Sequence, residues 1–150
     1  MSEEKNMEKY ENYRHQKERL KKALKDEFYL EAVLIEYAIM EDRLESALVH
    51  AEAFNPKKHE MIKPKLKRLH SLGTERGTGF SRYYPEELLG AIESWIGRRN
   101  TLVHSLMKSS VDDGMLKDCA EEGKELTDRL DGRVSAYKRA ITRANNKARL

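Results

Sequence analysis

Within residues 28–53 the apolar side chains Leu30, Val33, Leu34, Tyr37, Ala38, Leu44, Ala47, Leu48 and Ala51 recur every three or four positions. That is the period of an α-helix, not the two-residue alternation of a half-buried strand. Ile35, Ile39 and Met40 widen the stripe beyond one face, so this helix must meet more than one neighbour. The rest of the chain supports the same class. Leu, Ala, Glu, Lys and Arg dominate, there are 3 prolines, and β-branched runs are almost absent, all of which favour helix. With 37% charged and 7% aromatic residues, the apolar supply is modest and has to be arranged in stripes. The expected fold is all-α, an up-and-down bundle of about four to five helices with a long C-terminal one. At 150 residues the chain is long enough to bury one real core.

Residues 1–27 read as a charged amphipathic N-terminal helix and residues 28–150 as the bundle. In the first segment Met7, Tyr10, Tyr13, Leu20 and Leu24 form a thin stripe within alternating charge. Asn55-Pro56 ends the apolar helix. A basic helix follows over about residues 60–72, carrying Met61, Ile62, Leu66 and Leu69, with Pro64 in its first turn where a missing N–H costs least. The glycine-rich stretch Gly73-Thr74-Glu75-Arg76-Gly77-Thr78-Gly79 lacks the Gly-Lys-Ser/Thr ending of a phosphate loop and reads as an interhelical loop. Pro85, Glu86 and Glu87 open the next helix, whose buried face is Leu88, Leu89, Ile92, Trp95 and Ile96. Gly97 then offers a stop and Asn100 a new cap, with an uninterrupted helix as the rival reading. The last helix, over about residues 112–145, carries Leu116, Cys119, Gly123, Leu126, Leu130, Val134, Tyr137 and Ile141 as a narrow seam. Gly123 and Gly132 mark close packing or a bend.

The formal net charge is only +3, but it is unevenly spread. Glu31, Glu36, Glu41, Asp42, Glu45 and Glu52 make the apolar helix acidic. Lys57, Lys58, Lys63, Lys65, Lys67, Arg68 and Arg76 form a basic block. After Asp131 no acid remains, while Arg133, Lys138, Arg139, Arg143, Lys147 and Arg149 follow. Such blocks either track a phosphate backbone or are solvated faces that pair with the acidic helix, and composition favours the second. The single cysteine, Cys119, allows no internal disulfide and no cysteine-based zinc cluster. His15, His50, His59 and His70 lack partners at metal-ligand spacing, so neither a metal nor another cofactor is expected. No apolar run approaches the roughly 20 residues of a membrane helix, and the start of the chain, Met1 to Asn6, is polar. A cytoplasmic location is expected.

One stretch carries chemistry: Gly97-Arg98-Arg99-Asn100-Thr101-Leu102-Val103-His104-Ser105. An arginine presents a planar, permanently charged fork to phosphate oxygens. A histidine ring, with an ordinary pKa of about 6.5, works as acid or base near neutrality. Arg43 and His50 repeat the pairing inside the acidic helix, where an ordinary ion pair explains the arginine.

Arg99-Asn100 followed by three spacers and His104, entering the last part of a small helical bundle, resembles the signature of the HEPN superfamily. The resemblance covers roughly residues 28–150, and its diagnostic part is the six-residue motif. It implies a homodimer whose two Arg/His pairs share a cleft, and in many members a metal-independent endoribonuclease of toxin–antitoxin, phage-defence or RNA-processing systems. Others are inactive binding modules. Carried over, the catalytic residues are Arg99, His104 and Asn100. Arg98 is a second phosphate contact or the true motif arginine, and Glu41 a supporting residue that fixes an arginine. The implied partners are RNA, a second copy of the chain and an antitoxin or other protein, with no membrane. Against the enzyme stands a non-catalytic module that binds RNA through Lys65, Lys67, Arg68 or the C-terminal tail.

Overall fold

A computed structural model describes residues 3–58, 60–108 and 111–149; His59 and the first two residues, on which some of the expectations above fall, lie outside them. The described residues form six helices and no strand: α1 (Glu3–Lys25), α2 (Tyr29–His50), α3 (Ile62–Arg76), α4 (Thr78–Ser81), α5 (Glu86–Ser105) and α6 (Asp113–Ala148). The architecture is an up-and-down helical bundle with a long last helix, as the periodicities predict. No described helix is long and apolar enough to cross a membrane.

The apolar helix α2 lies at the centre. Ala32, Val33, Ile35, Ile39, Met40, Leu44, Ala47 and Leu48 are all buried, because α1, α3 and α6 each pack on it. Glu36 of α2 meets Gly123 of α6, and Arg43 lies 3.9 Å from Asp131, so the two helices run the same way. α5 runs opposite to α6, tied by Glu87 to Arg129 at 3.0 Å and by Trp95 Nε1 donating to the Cys119 carbonyl at 2.8 Å. α1 contributes Leu20 and Ala23 to the core and bonds Lys17 to Asp131 at 2.8 Å. Its first ten described residues are exposed.

Three expectations need correction. α5 does not stop at Gly97. A single interior glycine costs about 1 kcal/mol relative to alanine, and the burial of Trp95 and Ile96 just before it outweighs that. Thr101 Oγ donates to the Gly97 carbonyl at 3.0 Å, and Asn100 sits inside the helix rather than capping one. The glycine-rich stretch is not a loop throughout: α3 continues to Arg76, Gly77 ends it at φ +75°, and α4 turns immediately to bring Phe80 inward. Phe80 stacks 5.3 Å from Tyr84 and 5.4 Å from Tyr137, and that aromatic cluster is what organises the turn. Finally, Lys65 is no surface cation. It is 5% exposed and reaches Glu45 at 3.6 Å and Glu41 at 3.9 Å.

The seam of α6 is as expected from Leu116 to Val134, all buried at that spacing, with Tyr137 and Ile141 half-buried. Asp112 caps it, its side chain accepting from the Met115 N–H at 2.8 Å. Gly123 marks close packing: a Cβ there would collide with Glu36 Oε1 and lie 2.7 Å from Trp95. Gly132 faces open space.

Candidate functional site

The C-terminal half of α5 inherits its position from Trp95, whose ring is fully buried and whose N–H is fixed to α6. Arg98 and Arg99 are adjacent in sequence and therefore about 100° apart around the helix, and their fates differ. Arg98 turns to α6 and bonds the Glu122 carboxylate, while remaining half exposed at its side chain. Arg99 turns to α2. Its guanidinium carbon stands 4.2 Å from the centroid of the Tyr37 ring, a cation–π distance. One terminal nitrogen donates to Asn100 Oδ1 at 2.9 Å, and Nε is buried with no hydrogen-bond partner.

Asn100 and His104 are four residues apart on one helix, so they share a face. Arg99 and His104, five apart, are separated by about 140° of rotation and about 7.5 Å along the axis. Within one chain Arg99 thus meets the histidine's face through Asn100 rather than directly. His104 is exposed, and among the described residues no hydrogen bond or ion pair engages its ring. The arrangement is a cation held over an aromatic ring, an amide bonded to it, and an open imidazole one turn beyond the amide.

Glu41 lies one turn beyond Tyr37 on α2 and is half-buried. Its carboxylate faces Lys65 at 3.9 Å, so its partner here is a lysine and not an arginine. Burial raises the Tyr37 hydroxyl pKa, Glu41 raises it further and Arg99 opposes both. The phenol therefore stays neutral, as a stacking surface should.

Two residues next to this site were not picked out by sequence reasoning. Tyr37 reads simply as a member of the apolar stripe, and nothing in its spacing marks it as a cradle for Arg99. Glu36 reads as one of the acids of a solvated face, yet it is 0% exposed and neither carboxylate oxygen has a partner. Burial pushes its pKa up to about 9, against a downward pull from Lys124. A visible signal existed: Glu36 falls between Val33, Ile35, Ile39 and Met40, inside the widened stripe. Cys119 lies in the same wall. Burial, then Glu36 and Glu122, lift its thiol to about 11, which leaves it an unreactive core group.

The rival pair behaves differently. Arg43 is bonded to Asp42 at 2.6 Å and to Ser46 at 3.2 Å and stacks 4.4 Å over Tyr13, a role in joining α1 to α2. Burial, then Lys138, Arg43 and Lys9, lower the pKa of His50. Among the described residues no group of three or more His, Cys, Asp or Glu is gathered in a way that could hold a metal ion. His70 bonds Glu86 at 2.7 Å.

Comparison with known proteins adds no family: no family model, curated protein or solved structure matches the chain.

Proposed function

We propose that the chain is a metal-independent endoribonuclease of the HEPN type, with Arg99, Asn100 and His104 as its catalytic residues. The observation that carries this reading is the contrast between the arginines. Arg98 is occupied by Glu122, whereas Arg99 has no acidic partner among the described residues and is oriented by Tyr37 and Asn100, with an open histidine one turn beyond Asn100. A cation oriented by a neutral ring and an amide, rather than neutralised by a carboxylate, retains its charge for a phosphate.

Cleavage proceeds through the RNA's own 2′-hydroxyl. A base removes the 2′ proton, the 2′ oxygen bonds to phosphorus, and the bond from phosphorus to the 5′ oxygen breaks as an acid delivers a proton to that oxygen. The products are a 2′,3′-cyclic phosphate and a 5′-hydroxyl. Arg99 stabilises the charge on the equatorial oxygens in the transition state, where an oriented donor is most effective. His104 serves as base or acid, and a two-fold dimer supplies one imidazole for each role. Arg98 stays on Glu122 and contributes at most a peripheral phosphate contact; Glu41, on Lys65, supports the wall behind Tyr37.

The test is RNA cleavage in excess chelator by the wild type, His104→Ala and Arg99→Lys, with thermal melts to show that each variant is folded. The expected losses are at least about a hundredfold for His104→Ala, and a comparable loss for Arg99→Lys, because lysine lacks the planar fork. Full activity in His104→Ala would overturn the assignment.

A further inference from the structure

Among the described residues some cations hold acids and others, Lys21, Lys25, Lys63 and Lys67 among them, are exposed with no acid partner. Arg19, Arg43, Lys65, Arg98, Lys124 and Arg129 all hold acids. Lys138, Arg139, Arg143, Lys147 and Arg149 are exposed, and none has a side-chain hydrogen bond or ion pair among the described residues. The expectation that the C-terminal block pairs with the acidic helix is therefore not met. Glu41, Asp42 and Glu45 of α2 are taken by Lys9, Arg43 and Lys65 and Glu31 by Arg19, while the cations of the last turns of α6 hold none of them.

The placement is specific. Every residue from 142 to 149 is exposed while still helical to Ala148, so the last two turns of α6 leave the core. Arg139, Arg143 and Lys147 recur at i, i+4 and i+8, one row with a charge about every 6 Å. Thr142 and Asn146 add polar groups beside them, and Thr142 folds its hydroxyl back to the Lys138 carbonyl at 3.0 Å. A membrane-surface helix needs large apolar side chains opposite its cations, and residues 142–149 include none.

We infer that the C-terminal turns of α6 form a docking arm for the sugar-phosphate backbone of RNA, with Arg139, Arg143 and Lys147 as its contact row. The arm is sequence-independent, since a row of exposed cations reads phosphates and not base edges. It is also remote. Arg98 meets α6 at Glu122, and the helix runs about 30 Å from there to Arg143. At about 3.4 Å of rise per stacked nucleotide, spanning that distance takes about nine nucleotides. As a part of the enzyme this inference rests on the ribonuclease reading; as a binding site it does not.

Binding is measured with the full chain and 2′-O-methyl oligoribonucleotides, which cannot be cleaved through the 2′ oxygen. One is about 30 nucleotides long and one about four, below the span estimated above. Arg139→Gln/Arg143→Gln/Lys147→Gln should weaken binding of the long RNA at least tenfold. It should reduce the slope of log Kd against log salt by about 2, since each single-strand phosphate that a cation neutralises adds about 0.7 to it, and weaken binding of the short RNA, which is about as long as the row itself, in the same direction. These positions are exposed, so an unaltered melting temperature is expected and is checked alongside. Wild-type affinity and slope in the triple variant, or wild-type chain that binds anionic vesicles but not the long RNA, overturns the arm. Cleavage that persists in His104→Ala overturns the catalytic reading alone, because this binding assay involves no cleavage.

Discussion

Arg99 shows how much depends on a side chain's immediate surroundings. Its neighbour Arg98 has the same chemistry and, in the sequence, an equal claim to the motif; only the 100° step around α5 separates an arginine bound to Glu122 from one lying over Tyr37. That distinction was not legible from the chain alone, since it depends on what α2 and α6 present at that height. Removing the ring tests it: Tyr37→Ala should lower kcat/KM by about tenfold, consistent with the 0.5–2 kcal/mol of a cation–π contact, whereas Tyr37→Phe should keep wild-type kinetics. Glu36 makes the second residue-scale case. Its carboxyl and the missing side chain of Gly123 are a matched pair, so Gly123→Ala should cost about 1–3 kcal/mol by overpacking. Glu36→Ala in the same chain should recover part of that loss, seen as a coupling in a denaturation cycle. Strictly additive effects would show that the two do not meet.

At the level of elements, the helices that could be read were those with one clear apolar stripe. The seam of α6 follows its spacing, while the buried face of α2 is shifted from the one expected: Ile35, Ile39 and Met40 are buried, and Leu30, Leu34 and Ala38 are exposed. Punctuation was less legible. Gly97 and the stretch from Gly73 to Gly79 both look like breaks, yet one is absorbed into α5 and the other into α3 and α4, since Trp95, Ile96 and Phe80 gain more by reaching the core than glycine costs. The position of Gly97 makes a direct check possible. Nothing lies within 4 Å of a Cβ placed there, so Gly97→Ala should raise stability by about 1 kcal/mol and leave cleavage intact. A destabilised variant would mean that α5 bends there. Capping adds a smaller test: Asp112→Ala should cost about 1 kcal/mol through loss of its bond to the Met115 N–H.

The whole molecule carries a pH signature that no single element sets. Glu36 is neutral in the fold, with its pKa raised to about 9 by burial; in the unfolded chain it titrates as an ordinary glutamate, at about 4.3. Between those values the unfolded state has lost a proton that the native state keeps, so stability falls as pH rises through that window and levels off above it. Asp131 acts at the acid end: although burial raises its pKa, Lys17 and Arg43 outweigh that and the net shift is downward. Its contribution is present above the ordinary aspartate pKa and is lost as pH falls through the lowered one. Chemical denaturation from pH 5 to 9 should show the decline in the wild type and a flatter profile in Glu36→Gln.

The fold was legible because periodicity alone dictates a bundle of this kind. The candidate site was legible only as a motif, since nothing in its spacing marks Tyr37 as the ring that lies against Arg99. The central claim is that this bundle cuts RNA through the RNA's own 2′ oxygen. The most direct measurement incubates the wild-type chain, in excess chelator, with one RNA and with its fully 2′-O-methyl counterpart, and identifies the ends. The account predicts that only the unmodified strand is cut, leaving 2′,3′-cyclic phosphate and 5′-hydroxyl termini. Equal cutting of both strands, or of neither, would contradict it.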